Sequence, residues 1–158
     1  MDEARGLDHG AWTPLILMYP QADIPVAQLS VQPQLGAAHH WKLGGALRAL
    51  RDEGVLILAS GSATHNLDEF RNYVPGSPPA IWATRFGEWL AAALQERRDE
   101  ELLAYRERAP DAVRNHPTEE HIVPLFVALG AATPGVPVKR LHSSYAYGVI
   151  GMDAYRFD

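Results

Sequence analysis

The stretch Val55-Leu56-Ile57-Leu58-Ala59-Ser60 follows directly on a helical pattern that stops at Gly54. It is too short for a stable helix, and an unbroken apolar run reads as a strand covered on both faces in a parallel sheet. Upstream, apolar residues recur at helical spacing at Trp41, Leu43, Leu47 and Leu50, with Gly54 placed where a C-terminal cap glycine belongs. Before that helix, Ile24-Pro25-Val26-Ala27-Gln28-Leu29-Ser30-Val31 alternates in its second half and carries branched side chains, which predicts a strand with Pro25 at its start. Strand, helix and strand in succession constitute the rhythm of an α/β protein.

The remaining chain extends this reading. Three prolines and Gly76 between Asn72 and Pro79 require a loop, and Trp82, Phe86, Trp89, Leu90 and Ala93 then form one face of a helix over 81–96. A charged helix is expected through Leu102 and Leu103 towards Arg108, with a further turn over 112–115. Thr118 reads as the cap of a helix running to Gly130, with Glu119 and Glu120 in its first turn. Strands are expected over 137–141 and 145–157, the second interrupted by Gly148 and Gly151. No linker divides the sequence, so residues 1–158 are expected to form a single domain.

Composition removes several function classes. The chain has no cysteine, which excludes disulfides, thiolate metal sites and a cysteine nucleophile. A net charge of -5 with pI near 5.8 lacks the clustered cations that a nucleic-acid backbone needs. No apolar stretch is long enough to span a bilayer, and Met1 to Arg5 show no leader pattern, so the expectation is a cytoplasmic protein with no membrane partner. Patterns typical of dinucleotide, P-loop, zinc-protease and serine-hydrolase sites are absent from the sequence.

What remains is seven histidines. Imidazole is the commonest metal ligand and the usual acid or base near neutrality. His65, in Ser60-Gly61-Ser62-Ala63-Thr64-His65-Asn66-Leu67, falls just past the carboxyl end of the apolar strand, where ligands bind in open α/β sheets. Position alone leaves that role level with a turn-capping one. His121 stands where a capping box would place Glu or Gln, and a helix N-terminus would favour its neutral, ligating form. His116 precedes Pro117 and reads as a loop residue, His9 as a surface residue, and His39 and His40 as solvated or capping residues. His142 ends a strand with no partner visible in the sequence.

Four separated runs carry a resemblance: Gly6-Leu7-Asp8-His9-Gly10-Ala11-Trp12, Leu17 to Val26, Ala59 to Leu67, and Pro117-Thr118-Glu119-Glu120-His121 to Leu125. Together and in this order they resemble the 4,5-DOPA extradiol dioxygenase family of class III extradiol ring-cleavage dioxygenases, which is similar to the protocatechuate 4,5-dioxygenase catalytic subunit. The resemblance implies an α/β fold with a mixed sheet and helices on both faces, and a reaction in which a catechol-type aromatic such as DOPA is opened by O2. It implies non-haem Fe(II) for catalysis, with Zn(II) as the ion in isolated protein. His65 matches an acid/base or metal-proximal histidine, His121 a metal-site histidine, and His9 a histidine of the substrate pocket.

The family's upstream His-Gly-Ser-Pro and Ser-Ala-His-Trp motifs, which carry two metal histidines, do not occur in this sequence. The expectation is a chain corresponding to the C-terminal portion of the fold, lacking the N-terminal strands and incomplete for catalysis. A non-catalytic metal-binding or assembly subunit is the alternative. An edge left by missing strands is a pairing surface, so a homo-oligomer or a companion chain is expected.

Overall fold

The computed structural model describes residues 4–158. Met1 to Glu3, part of the segment read above as lacking a leader, lie outside the described residues. The helices are α1 (His9–Met18), α2 (Gly36–Leu47), α3 (Leu67–Phe70), α4 (Ile81–Gln95), α5 (Asp99–Leu103), α6 (Tyr105–Arg108), α7 (Ala112–Asn115) and α8 (Val123–Ala131). The strands are β1 (Lys139–His142), β2 (Tyr145–Ala146), β3 (Ile150–Gly151) and β4 (Ala154–Arg156). Among the described residues, no helix is long and apolar enough to cross a membrane.

The core forms where α4 meets α2, α8 and the α5–α7 region. The expected face of α4 is buried through Trp82, Phe86, Leu90 and Ala93, while Trp89 is half-buried and carries the Arg98 guanidinium 5.9 Å above its ring. Leu94, Leu102, Tyr105, Ile122, Phe126 and Leu129 complete the packing against Phe86. Helix α2 lies on α8 with almost no side chain between them. A Cβ at Gly44 would stand 2.0 Å from the Val127 carbonyl oxygen, and one at Gly130 would stand 1.9 Å from that of Trp41. Beyond the crossing, Arg48 donates to the Gly130 carbonyl at 2.7 Å and Arg51 to that of Ala131 at 2.8 Å, so two cations cap the negative end of α8.

A 3₁₀ segment, Arg48–Glu53, continues α2 and ends on Gly54 at φ 81°, the left-handed cap that the sequence predicted. The α/β class holds, made of helices and small sheets, but several expected elements differ. Segments 24–31 and 55–60 form no ladder, and the observed ladders, β1 with β4 and β2 with β3, are antiparallel. A strand exists only through its partner, and none of the described residues pairs with either segment. Val55, Leu56 and Leu58 are therefore 46%, 59% and 41% exposed instead of covered on both faces. The helix expected from Thr118 begins at Val123, with Pro124 in its first turn, because the Glu119 carbonyl accepts the Ile122 and Val123 amides and closes a turn first. The charged helix towards Arg108 is broken at Ala104, and α1, with Asp8 as its cap, is a helix that the sequence reading did not identify.

Candidate functional site

Loop 60–66 is laced on both sides. Towards the C-terminal hairpin, the Thr64 hydroxyl donates to the Val149 carbonyl at 2.7 Å and accepts the Gly151 amide at 2.6 Å, while Ser62 Oγ donates to the Thr64 and Gly151 carbonyls. Towards segment 114–121, the Ser62 amide donates to the His121 carbonyl at 2.9 Å and the His65 amide to that of Asn115 at 3.0 Å. Asn66 donates to the Arg114 carbonyl at 2.6 Å while its Oδ1 caps α3. Gly61 makes this approach possible, since a Cβ there would lie 2.2 Å from the His121 carbonyl oxygen.

This lacing brings His65 and His121 face to face, with ring centroids 3.6 Å apart and planes 24° from parallel. Both are half-buried. Burial, then the neighbouring His121 ring, hold His65 below the ordinary imidazole range against the opposing Glu120 carboxylate, so the ring is neutral around pH 7. Burial raises Glu120, but the Thr118 hydroxyl, its own backbone and the two rings outweigh that and hold its carboxyl below the usual range. Its Oε1 lies 3.8 Å from His121 Nε2. His121 sits in the turn before α8 rather than in a helical first turn, so the dipole argument made from sequence does not apply to it.

His9 opens α1 and is exposed, with no hydrogen bond or ring contact joining it to the stacked pair among the described residues. The start of α1 nevertheless approaches the same loop, because a Cβ at Gly10 would stand 3.7 Å from Ser60 Oγ. Asp8 fixes that position through reciprocal bonds with Gln28, 3.0 Å from its amide to Gln28 Oε1 and 2.8 Å from Gln28 Nε2 to its carboxylate.

Two histidines depart from their expected surroundings. His40 is fully buried in α2, its Nδ1 2.7 Å from the Gly36 carbonyl and its Nε2 accepting the Gln32 amide at 3.1 Å. His116, read as a loop residue, is also fully buried, with Nε2 2.9 Å from the Ala63 carbonyl oxygen and its ring edge-on to Phe86 at 5.4 Å. No sequence signal marks this burial. Burial pushes His116 down to about 4, against its bond to Ala63. The folded chain therefore refuses a proton that the unfolded chain accepts below the ordinary value of 6.5. The stability from neutral His116 is fully present above pH 6.5 and is lost as pH falls towards 4, a decline of about 3 kcal/mol. Urea denaturation across that window checks it: His116→Gln should show a shallower acid decline than the parent, and identical slopes would refute the assignment.

The family described as the catalytic LigB subunit of aromatic ring-opening dioxygenase matches residues 1–158. The chain belongs to that family. It is 48% identical over 161 residues to a 4,5-DOPA dioxygenase extradiol of Beta vulgaris, a match covering 99% of this chain and 58% of the relative. A relative of the same description from Escherichia coli K12 is 44% identical over 132 residues, covering 82% of this chain and 48% of its own length. The crystal structure of an uncharacterized protein from Escherichia coli K12 superposes with TM-score 0.84 at 37% identity, over 98% of this chain and 64% of that one. The chain thus spans about half the length of the curated relatives it matches.

Ring-opening dioxygenases of this family are generally non-haem metal dependent. Among the described residues, no group of three or more His, Asp or Glu side chains is arranged to hold an ion. The stacked pair does not do so either. A ligating imidazole directs its lone pair in the ring plane, and planes 3.6 Å apart and 24° from parallel do not meet within the roughly 2.1 Å of a metal–nitrogen bond. The residues as they stand do not fit the ion.

Proposed function

We propose that this dioxygenase-family chain supplies part of the site of an extradiol ring-cleavage dioxygenase acting on a catechol-type aromatic such as DOPA, with O2 as co-substrate. The observation that carries this reading is a neutral, half-buried His65 held on a loop pinned from two sides. In this reading a catechol O–H bond breaks and the proton passes to the His65 ring, a role that suits a base neutral at working pH. His9 lines the catechol pocket from the start of α1. In the complete assembly His65 and His121 would contribute to the metal site, where Fe(II) would supply the oxidative chemistry and Zn(II) would be the ion retained on isolation. A non-catalytic metal-binding or assembly subunit is the second reading, favoured by the lack of a three-donor group among the described residues.

The surface supports a partner. A compact monomer of 17.4 kDa exposes about 7,800 Å², whereas this chain exposes 9569 Å². The difference exceeds the roughly 800 Å² per partner of a standard interface. Apolar residues of α1 (Trp12, Ile16, Leu17), of segment 24–31 (Ile24, Val26, Leu29) and of segment 55–60 contribute to it. We infer that this exposed apolar surface receives a polypeptide carrying the portion of the family fold that the chain does not match. Without it, sedimentation at micromolar concentration is expected to show dimers or larger species, and a monomer at every concentration would contradict the inference.

The function is tested by mixing the chain with the unmatched segment of the Escherichia coli structural relative, together with Fe(II), and following DOPA ring opening as a yellow product. The lone chain is expected to form none and the mixture to form it. A mixture that retains metal without product supports the assembly reading, and one that does neither overturns both.

A further inference from the structure

We propose that His116 is a positioning residue, whose ring clamps the Ala63 carbonyl and thereby sets the contact between His65 and His121. The inference takes that histidine pair as the site, as proposed above. A carbonyl oxygen only accepts, so Nε2, 2.9 Å from it, carries the proton and Nδ1 is bare. Among the described residues no group donates to Nδ1 although it is buried, and a buried ring nitrogen without a donor is unfavourable. Packing against Phe86 would be served equally by an apolar side chain, so what the imidazole adds at this position is the bond to Ala63.

That bond falls at a particular place. The loop meets segment 114–121 through Ser62 to His121, His65 to Asn115, Asn66 to Arg114 and His116 to Ala63. The first two are backbone bonds, and Asn66 lies beyond His65. His116 supplies the only side chain in this set that acts on the residues between Ser62 and His65, and it does so from a sequence position adjacent to Asn115, which takes the His65 amide. Removing the donor frees the Ala63 peptide to rotate, and the His65 ring moves relative to His121 while the hairpin bonds of Thr64 persist.

The test is histidine-ring NMR on the chain itself at neutral pH, without metal or catechol. The parent is expected to show His116 as the Nε2–H tautomer with slow proton exchange, and mutually displaced upfield ring protons for His65 and His121. His116→Leu, of similar bulk and without a donor, should lose that upfield displacement, and His116→Gln, whose amide can donate from the same place, should restore it. A folded His116→Leu chain with the displacement intact would reduce His116 to a core filler and overturn the inference. So would a His116→Gln chain that behaves like His116→Leu, or an Nδ1–H tautomer in the parent. Should His116→Leu fail to fold, the parent tautomer and His116→Gln decide the matter. A ring-opening assay that fails while these signals behave as expected overturns the dioxygenase reading and leaves this inference standing.

Discussion

His65→Ala, introduced into the chain before it is complemented with the unmatched portion of the fold, is expected to cut DOPA ring opening by about 100- to 10,000-fold, the usual worth of a positioned general base. The size follows from the state of the ring. Burial and the His121 ring both oppose charge on His65 and hold it below the ordinary imidazole range, which favours the form able to take a catechol proton. Its backbone is held by Asn115 and its loop by Ser62 and Thr64, so alanine removes the ring without releasing the loop. The parent and variant should therefore unfold at similar urea concentrations while turnover separates them. His121→Ala should lower metal retention together with turnover, since that ring too is assigned to the proposed metal site. Ring opening that survives His65→Ala within a few-fold would remove His65 from the reaction.

Gly130→Ala is expected to destabilise the fold by about 3 kcal/mol or more, the upper end of overpacking costs. An added methyl would stand 1.9 Å from the Trp41 carbonyl oxygen and 2.8 Å from its carbon, both backbone atoms that cannot swing aside. Helices α2 and α8 must then separate, which also stretches the bonds from Arg48 and Arg51 to the end of α8. Gly45→Ala is the control. It lies on the facing helix, α2, yet the nearest atom to an added methyl is 3.9 Å away, so alanine there should stabilise by roughly 0.5–1 kcal/mol through helix propensity alone. Urea midpoints for the two variants should move in opposite directions, and a neutral Gly130→Ala would show that the helices are not in backbone contact.

Local pattern carried much of this protein into view. The buried face of α4, the left-handed Gly54 and the loop over 72–79 are consequences of residue spacing and backbone freedom within a few positions, and such features are complete in the sequence. Family membership was legible for another reason: four motifs stood in order along the whole chain, and the family match covers residues 1–158. The sequence also suggested roles for His65 and His121, but not that their rings stack at 3.6 Å.

Tertiary structure decided the rest. The run Val55 to Ser60 has the composition of a buried strand, but pairing is a property of two segments, and no described residue supplies the second. Thr118 has the chemistry of a helix cap, yet the Glu119 carbonyl and Pro124 place the helix start at Val123. His116 looks like any histidine before a proline, and only the approach of loop 60–66 to segment 114–121 makes it buried, neutral and bonded to Ala63. Propensity and periodicity act over one or two turns, whereas the meeting of two distant loops rests on hydrogen bonds that exist only after the chain has folded.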